Sequence, residues 1–210
     1  LASIVRQYGG EPSIVDLNAY RIKDDRASTS GLENGRHLTY DEARGLIRQR
    51  LNNVGDQDVV SFSGKITTLR WQEEVAKIVR QEQPDCFLVT GNGLATEINR
   101  GLFNWIPELD AIGRSEGDDI IINICQDAKT ISEMGWARAI KSGKLSEFFV
   151  DDINGKPRFV YEGDRPKNLD SIPYAAWDLL ESDPYGYNIL EDYIKVPVWG
   201  TEADNSSATP

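Results

Sequence analysis

The sequence predicts an α/β fold, a doubly wound parallel sheet followed by a C-terminal β-hairpin and an extended arm. Three observations predict it. Short apolar runs rich in Val and Ile alternate with stretches of helical apolar spacing. Gly- or Ser-bearing turns follow those runs, where a wound sheet places its ligand loops. From residue 146 the helical period gives way to strand-like runs on either side of an Asn-Gly pair.

Each element has its own signal. Leu1, Ile4, Val5 and Tyr8 share one helical face, and Gly9-Gly10 supplies a helix stop. Ser13-Ile14-Val15-Asp16-Leu17 reads as a short buried strand, and residues 18 to 38 as a polar loop. Thr39 and Glu42 make a capping box ahead of Ala43, Leu46, Ile47 and Leu51, which gives a helix of about three turns. The second strand is Asp58-Val59-Val60-Ser61-Phe62. The loop Ser63 to Thr68 leads into a helix with Trp71, Val75, Ile78 and Val79 on its apolar face, ended by Pro84. Cys86-Phe87-Leu88-Val89 is the third strand, followed by Thr90-Gly91-Asn92-Gly93 and a short helix through Ile98 and Leu102. Leu109-Asp110-Ala111-Ile112 is the fourth, followed by a turn from Gly113 to Gly117. Two helices are expected across residues 118 to 128 and 130 to 142. Phe148-Phe149-Val150 and Phe159-Val160-Tyr161 flank Asn154-Gly155 as a hairpin, and Asp164 to Tyr187 reads as an extended arm.

Composition narrows the function. A net charge of -11 argues against nucleic acid as partner, because that binding is driven by clustered Lys and Arg. Any anion must be held locally, by backbone N–H groups. No apolar run approaches the length of a membrane span and no signal-peptide pattern opens the chain, so a soluble, cytoplasmic protein is expected. The cysteines are Cys86 and Cys125, expected as buried free thiols. They cannot make a C-x-x-x-C-x-x-C cluster site or a structural zinc site.

The turns carry a resemblance. Asp16-Leu17-Asn18 follows the first strand, Ser63-Gly64-Lys65 the second and Gly91-Asn92-Gly93 the third. Residues 22 to 62, 41 in number, separate Arg21 from Ser63, and residues 66 to 90, 25 in number, separate Lys65 from Gly91. This order and spacing resembles the D-x-H-x-x-G, S-x-L and G-G signature of flavodoxin-like cobalamin-binding domains. Leu109-Asp110-Ala111-Ile112-Gly113-Arg114-Ser115-Glu116-Gly117-Asp118 is similar to the D-x-V-V-R-G-E-G-E turn of the radical SAM branch of that family. Asn168-Leu169-Asp170-Ser171-Ile172-Pro173-Tyr174 is similar to its L-D-x-L-P-x-P lead into the radical SAM barrel.

The resemblance implies a cobalamin-binding module of a radical SAM enzyme, most often a methyltransferase. It implies a partner domain in the parent chain that holds a four-iron four-sulfur cluster and S-adenosylmethionine. On that reading residues 1 to 145 are the cobalamin domain, with one strand expected upstream of Leu1. Residues 146 to 200 are the hairpin and arm towards the radical SAM domain, and residues 201 to 210 are a disordered tail. The implied cofactor contacts are Asp16, Asn18, Ser63, Gly64, Lys65, Thr67, Thr68, Gly91, Asn92, Gly93, Glu116 and Gly117. This module carries no catalytic residue and no protein metal ligand of its own. The departures are informative: Asn18 replaces the cobalt-ligating His, Arg21 the Gly, and Lys65 and Asn92 the Leu and second Gly. The lower face of cobalt is therefore expected to lack a protein imidazole, a loss typical of the radical SAM branch.

Plainer readings stand beside these. Gly and Ser fill turns in any wound sheet. Glu116 is also what a helix entry favours. His37 reads as a solvated loop histidine, Trp71 and Trp105 as core or rim packing, and Asp151 and Asp152 as solvated acids beside a turn. Two other functions compete: a cofactor-free docking domain of the same fold, and a nucleotide- or flavin-binding domain. No G-x-G-x-x-G or Walker sequence supports the last.

Overall fold

The computed structural model describes residues 1–17, 38–52, 59–147, 149–150 and 156–181. The chain divides into two compact units, Leu1–Pro12 with Arg44–Ala175, and Ser13–Ala43 with Ala176–Pro210. The first unit holds an α/β sheet. Its helices and strands are α1 (Ala2–Gln7), β1 (Val59–Ser63), α3 (Leu69–Glu82), β2 (Phe87–Gly91), α4 (Asn92–Ile98), α5 (Leu102–Trp105), β3 (Ala111–Ser115), α6 (Gly117–Met134), α7 (Trp136–Ser142), β4 (Phe149–Val150) and β5 (Pro157–Gly163). Helix α2 (Tyr40–Leu51) has a sequence range that crosses the boundary, and α8 (Asp178–Glu181) belongs to the second unit.

The sheet order is β1-β2-β3-β5-β4. β1, β2, β3 and β5 run parallel, with Ser63 beside Gly91, Thr90 beside Ile112 and Ser115 beside Gly163. β4 is antiparallel to β5, through Phe149 with Arg158 and Val150 with Pro157. The Asn154-Gly155 turn, Asp151 and Asp152 lie outside the described residues.

Burial explains why the strands read as continuous apolar runs. Phe87 to Thr90 are all buried, as expected of a parallel strand covered on both faces. One face packs Phe87, Val89, Ala111, Phe159 and Tyr161 against the α6 stripe Ile120, Ile124, Ala128 and Ile131. That stripe follows the helical period. Trp136 extends it, with ring centroids 6.1 Å from Phe87 and 5.5 Å from Phe159. On the other face Leu88, Thr90 and Ile112 are buried, and α3 and α4 supply Gln72, Ala76, Val79, Leu94 and Ala95. Helix α2 joins α3 through Arg48, whose guanidinium donates to both oxygens of Glu82 at 2.8 and 2.6 Å.

Several expectations need correction. Ser13–Leu17 forms no strand: its Ile and Val have strand propensity, but a strand exists only where its amides meet a ladder, and none is formed here. α6 runs unbroken through residue 129 and stops at Gly135, whose φ of +76° ends it and starts α7. The strand before Glu116 runs from Ala111, two residues later than expected, and Asp110 just ahead of it donates its N–H to the Leu88 carbonyl at 2.8 Å and accepts from Phe159 N–H at 2.9 Å. Cys86 is buried but Cys125 is only half-buried; both are free. Trp105 is exposed and does not belong to the core.

In the second unit, the capping box is present. Thr39 N–H donates to Glu42 Oε2 at 2.9 Å and Glu42 N–H to Thr39 Oγ1 at 3.3 Å. In the first unit, residues 164–175 run extended over a single turn of 3-10 helix, Leu169–Ser171, with Leu169 and Tyr174 exposed. No helix among the described residues is long and apolar enough to cross a membrane.

Candidate functional site

Because β1, β2, β3 and β5 are parallel and in register, the turns that leave them gather at one end of the sheet. That end is the carboxyl edge, where wound sheets bind ligands. It brings together Ser63, Gly64, Lys65, Thr67, Thr68, Gly91, Asn92, Gly93, Glu116 and Gly117. Asp16 falls in the second unit, in the stretch that is not a strand. Asn18, Arg21 and His37 lie outside the described residues.

The turns are abrupt. Gly91 is the last residue of β2 and Asn92 the first of α4, so Gly91-Asn92-Gly93 is a strand-to-helix junction and not the loop expected. The reversal is made by Asn92 at φ +74° and, one strand over, by Ser115 at φ +59°. Both are non-Gly residues in the left-handed region, where Asn is tolerated and Ser is strained. Thr96 ties the two turns: its Oγ1 donates to the Asn92 carbonyl at 3.2 Å and accepts from Ser115 N–H at 3.0 Å.

The β1 turn is closed from within. Thr68 Oγ1 accepts from Lys65 N–H at 3.1 Å and donates to the Lys65 carbonyl at 2.9 Å, so this hydroxyl serves its own turn. Gln72, buried in α3, donates Nε2 to the Lys65 carbonyl at 3.3 Å and accepts from Thr90 Oγ1 at 3.4 Å. A β-carbon on Gly64 would lie 2.5 Å from Thr68 Oγ1 and 2.7 Å from Gln72 Nε2. Gly64 is therefore needed for the turn itself.

The β2 and β3 turns are more open. The space beside Gly93 is empty within 4 Å, and a β-carbon on Gly91 would only touch the Gly113 carbonyl at 3.7 Å. Gly117 is covered by the Leu1 side chain, whereas Gly163 is packed directly on the Glu116 backbone. Lys65, Ile66 and Thr67 stand exposed at the β1 end of the edge. At the other end stand Glu116, Asp118, Asp119 and the ion pair of Arg114 with Glu162, which makes that half acidic.

Four of the residues that shape this edge escape the sequence reading. Gln72 is legible in principle, since a polar residue interrupts the buried stripe of Ala76 and Val79. Thr96, Ser115 and Gly163 carry no such mark, because their roles depend on which strands become neighbours.

A cavity of about 230 Å³ opens at the opposite, amino-terminal end of the strands, lined in part by Arg80, Cys86, Asp110, Trp136 and Lys156. Three of its charges meet at Asp110. Asp110 accepts from Leu88 N–H at 2.8 Å and from Arg80 at 2.7 Å, and pairs with Lys156. Burial pushes the Cys86 thiol up to about 11, so it is a thiol at neutral pH. Among the described residues no group of three His, Cys, Asp or Glu side chains is placed to hold a metal ion.

No protein-family model, no curated protein and no solved structure matches this chain.

Proposed function

We propose that the chain is the cobalamin-binding module of a radical SAM enzyme, a methyltransferase by preference, in a flavodoxin-like variant of the wound α/β fold. The observation that carries the reading is the meeting of Ser63-Gly64-Lys65, Gly91-Asn92-Gly93 and Glu116-Gly117 along one carboxyl edge, in the order the resemblance requires.

The residues present fit a corrinoid at the β2 side of that edge. Empty space beside Gly93 and the absence of side chains at Gly91 admit a flat ring or a nucleotide tail close to backbone. The exposed Lys65 is the cation best placed for the tail's phosphate, since the Glu116 side of the edge is acidic. Ile66 offers an exposed apolar contact beside it. Thr96 ties the two left-handed turns together, which limits the ordering that binding would cost. When bound, methylcobalamin supplies a methyl group; the four-iron four-sulfur cluster and S-adenosylmethionine belong to the partner domain.

The test is to mix the purified chain with hydroxocobalamin, desalt it and record the visible spectrum. Retained corrinoid supports the proposal, and a colourless protein overturns it. A second reading, a cofactor-free docking domain, is favoured by the inward closure of the Gly64 turn by Thr68 and Gln72. Cobalamin that binds only the native state must raise Tm, and that reading requires no shift. A larger shift with flavin mononucleotide than with cobalamin would instead favour a flavin domain.

A further inference from the structure

We infer that Asn92 is a site of spontaneous deamidation, because the fold holds the Gly93 amide nitrogen against the Asn92 side-chain amide. Gly93 N–H donates to Asn92 Oδ1 at 2.6 Å, which sets that nitrogen beside the Cγ it attacks. Position 93 is the second residue of α4, where an N–H has no acceptor one turn back in the helix. Both residues are exposed, and nothing lies within 4 Å of the place a Gly93 side chain would occupy. Neither crowding nor helix bonding therefore shields the reaction.

The chemistry balances with water as the only co-reactant. The Gly93 nitrogen loses its proton and bonds to Asn92 Cγ; the bond from Cγ to the side-chain nitrogen breaks, and ammonia leaves with the proton. Water then opens the cyclic imide at either carbonyl, giving an aspartyl or an isoaspartyl residue at position 92. The first adds a negative charge to the β2 turn. The second also lengthens the main chain by one carbon, at the residue whose carbonyl accepts from Thr96 Oγ1. Thr96 is in turn the acceptor for Ser115 N–H, so one modification loosens two turns of the edge.

The chain supplies its own controls. Asn123 precedes Ile124 inside α6, where the following amide is bonded in the helix, and Asn104 precedes Trp105. None of this chemistry needs a cofactor, so its outcome is separate from cobalamin binding. The experiment is to age the full chain at mildly alkaline pH, folded and in urea, and to map aspartate and isoaspartate by peptide mass spectrometry with fragmentation. Position 92 is expected to convert in the folded chain at least as fast as in urea and faster than Asn104 and Asn123. Gly93→Ala, which fits the open space, is expected to bring position 92 down to the rate of those controls. A position 92 that converts in urea but stays intact in the folded chain overturns the inference, as does a Gly93→Ala rate equal to that of the unsubstituted chain.

Discussion

Arg80 Nη2 lies 2.7 Å from Asp110 Oδ2, joining the last turn of α3 to the residue that leads into β3. The same guanidinium donates to the carbonyls of Pro84, Cys86 and Glu108 at 2.6, 2.9 and 2.8 Å. Asp110 is thus the single acid on which two strands, one helix and Lys156 converge. Asp110→Ala leaves two cations facing each other and the Leu88 N–H without its acceptor. The expected loss is about 3–5 kcal/mol, the range for breaking a buried pair, read by urea denaturation.

Tyr161 donates its hydroxyl to Asp127 Oδ2 at 2.8 Å, and Asp127 also accepts from Ser146 N–H at 2.9 Å and Ser146 Oγ at 2.5 Å. Burial first, and the Asp127 carboxylate second, push the Tyr161 phenol well above its usual range, so it keeps its proton. Tyr161→Phe is expected to cost about 1.5–3 kcal/mol, as for a hydrogen bond to a charged group. Faster proteolysis after residue 142 is the companion readout, since Ser146 holds that segment to α6.

Cys86 gives a pH signature. Its folded thiol sits near 11 against an ordinary 9.0, so between those values the unfolded chain has lost a proton that the native chain retains. Stability from this group is full below pH 9.0 and is lost as pH rises towards 11. Denaturation midpoints measured across that window should fall for the native sequence. In Cys86→Ala the part of the fall due to this thiol should vanish.

Gly163 has no room for a side chain against the Glu116 backbone. Gly163→Ala must push the end of β5 away from the β3–α6 turn, at a cost of about 1–3 kcal/mol by the rule for overpacked sites. On the proposed function the displaced Glu116 turn also lowers cobalamin retention, so Tm and the retained corrinoid should fall together.

Gly91→Leu separates fold from function. The backbone there is extended at φ -136°, which any residue adopts, and a β-carbon meets only an ordinary contact. Tm should change little while corrinoid retention falls, because the added side chain enters the slot. An unchanged visible spectrum after desalting counts against this placement of the ring.

What was legible in the sequence is what local pattern determines. The spacing of Ile120, Ile124 and Ala128 announces a helix, though not its continuation through residue 129, and the run Phe87 to Thr90 reads as a strand from its shortness between Pro84 and Gly91. Gly9, at φ +83°, marks the end of α1 as expected. Ser13–Leu17 fails for the converse reason: its composition is that of a strand, but pairing depends on a neighbour that composition does not name. The Gly91-Asn92-Gly93 turn falls after the third strand as expected, but its tightness depends on Asn92 taking the left-handed conformation, which composition does not specify. Thr96 bridging Ser115 is a long-range fact and leaves no trace in spacing.

The position of β5 has a bearing on how the molecule assembles. Ala111 sits between Val89, close behind it in the chain, and Phe159, far ahead. Joining β5 to β3 therefore closes a longer loop than joining β2 to β3, at a modest extra cost in entropy. Without β5, one side of β3 would be an unpaired edge, and Arg158 would lose its seat on the Leu109 and Pro107 carbonyls. β5 thus covers a strand edge and seats a buried cation together, so a substitution that detaches it exposes both at once.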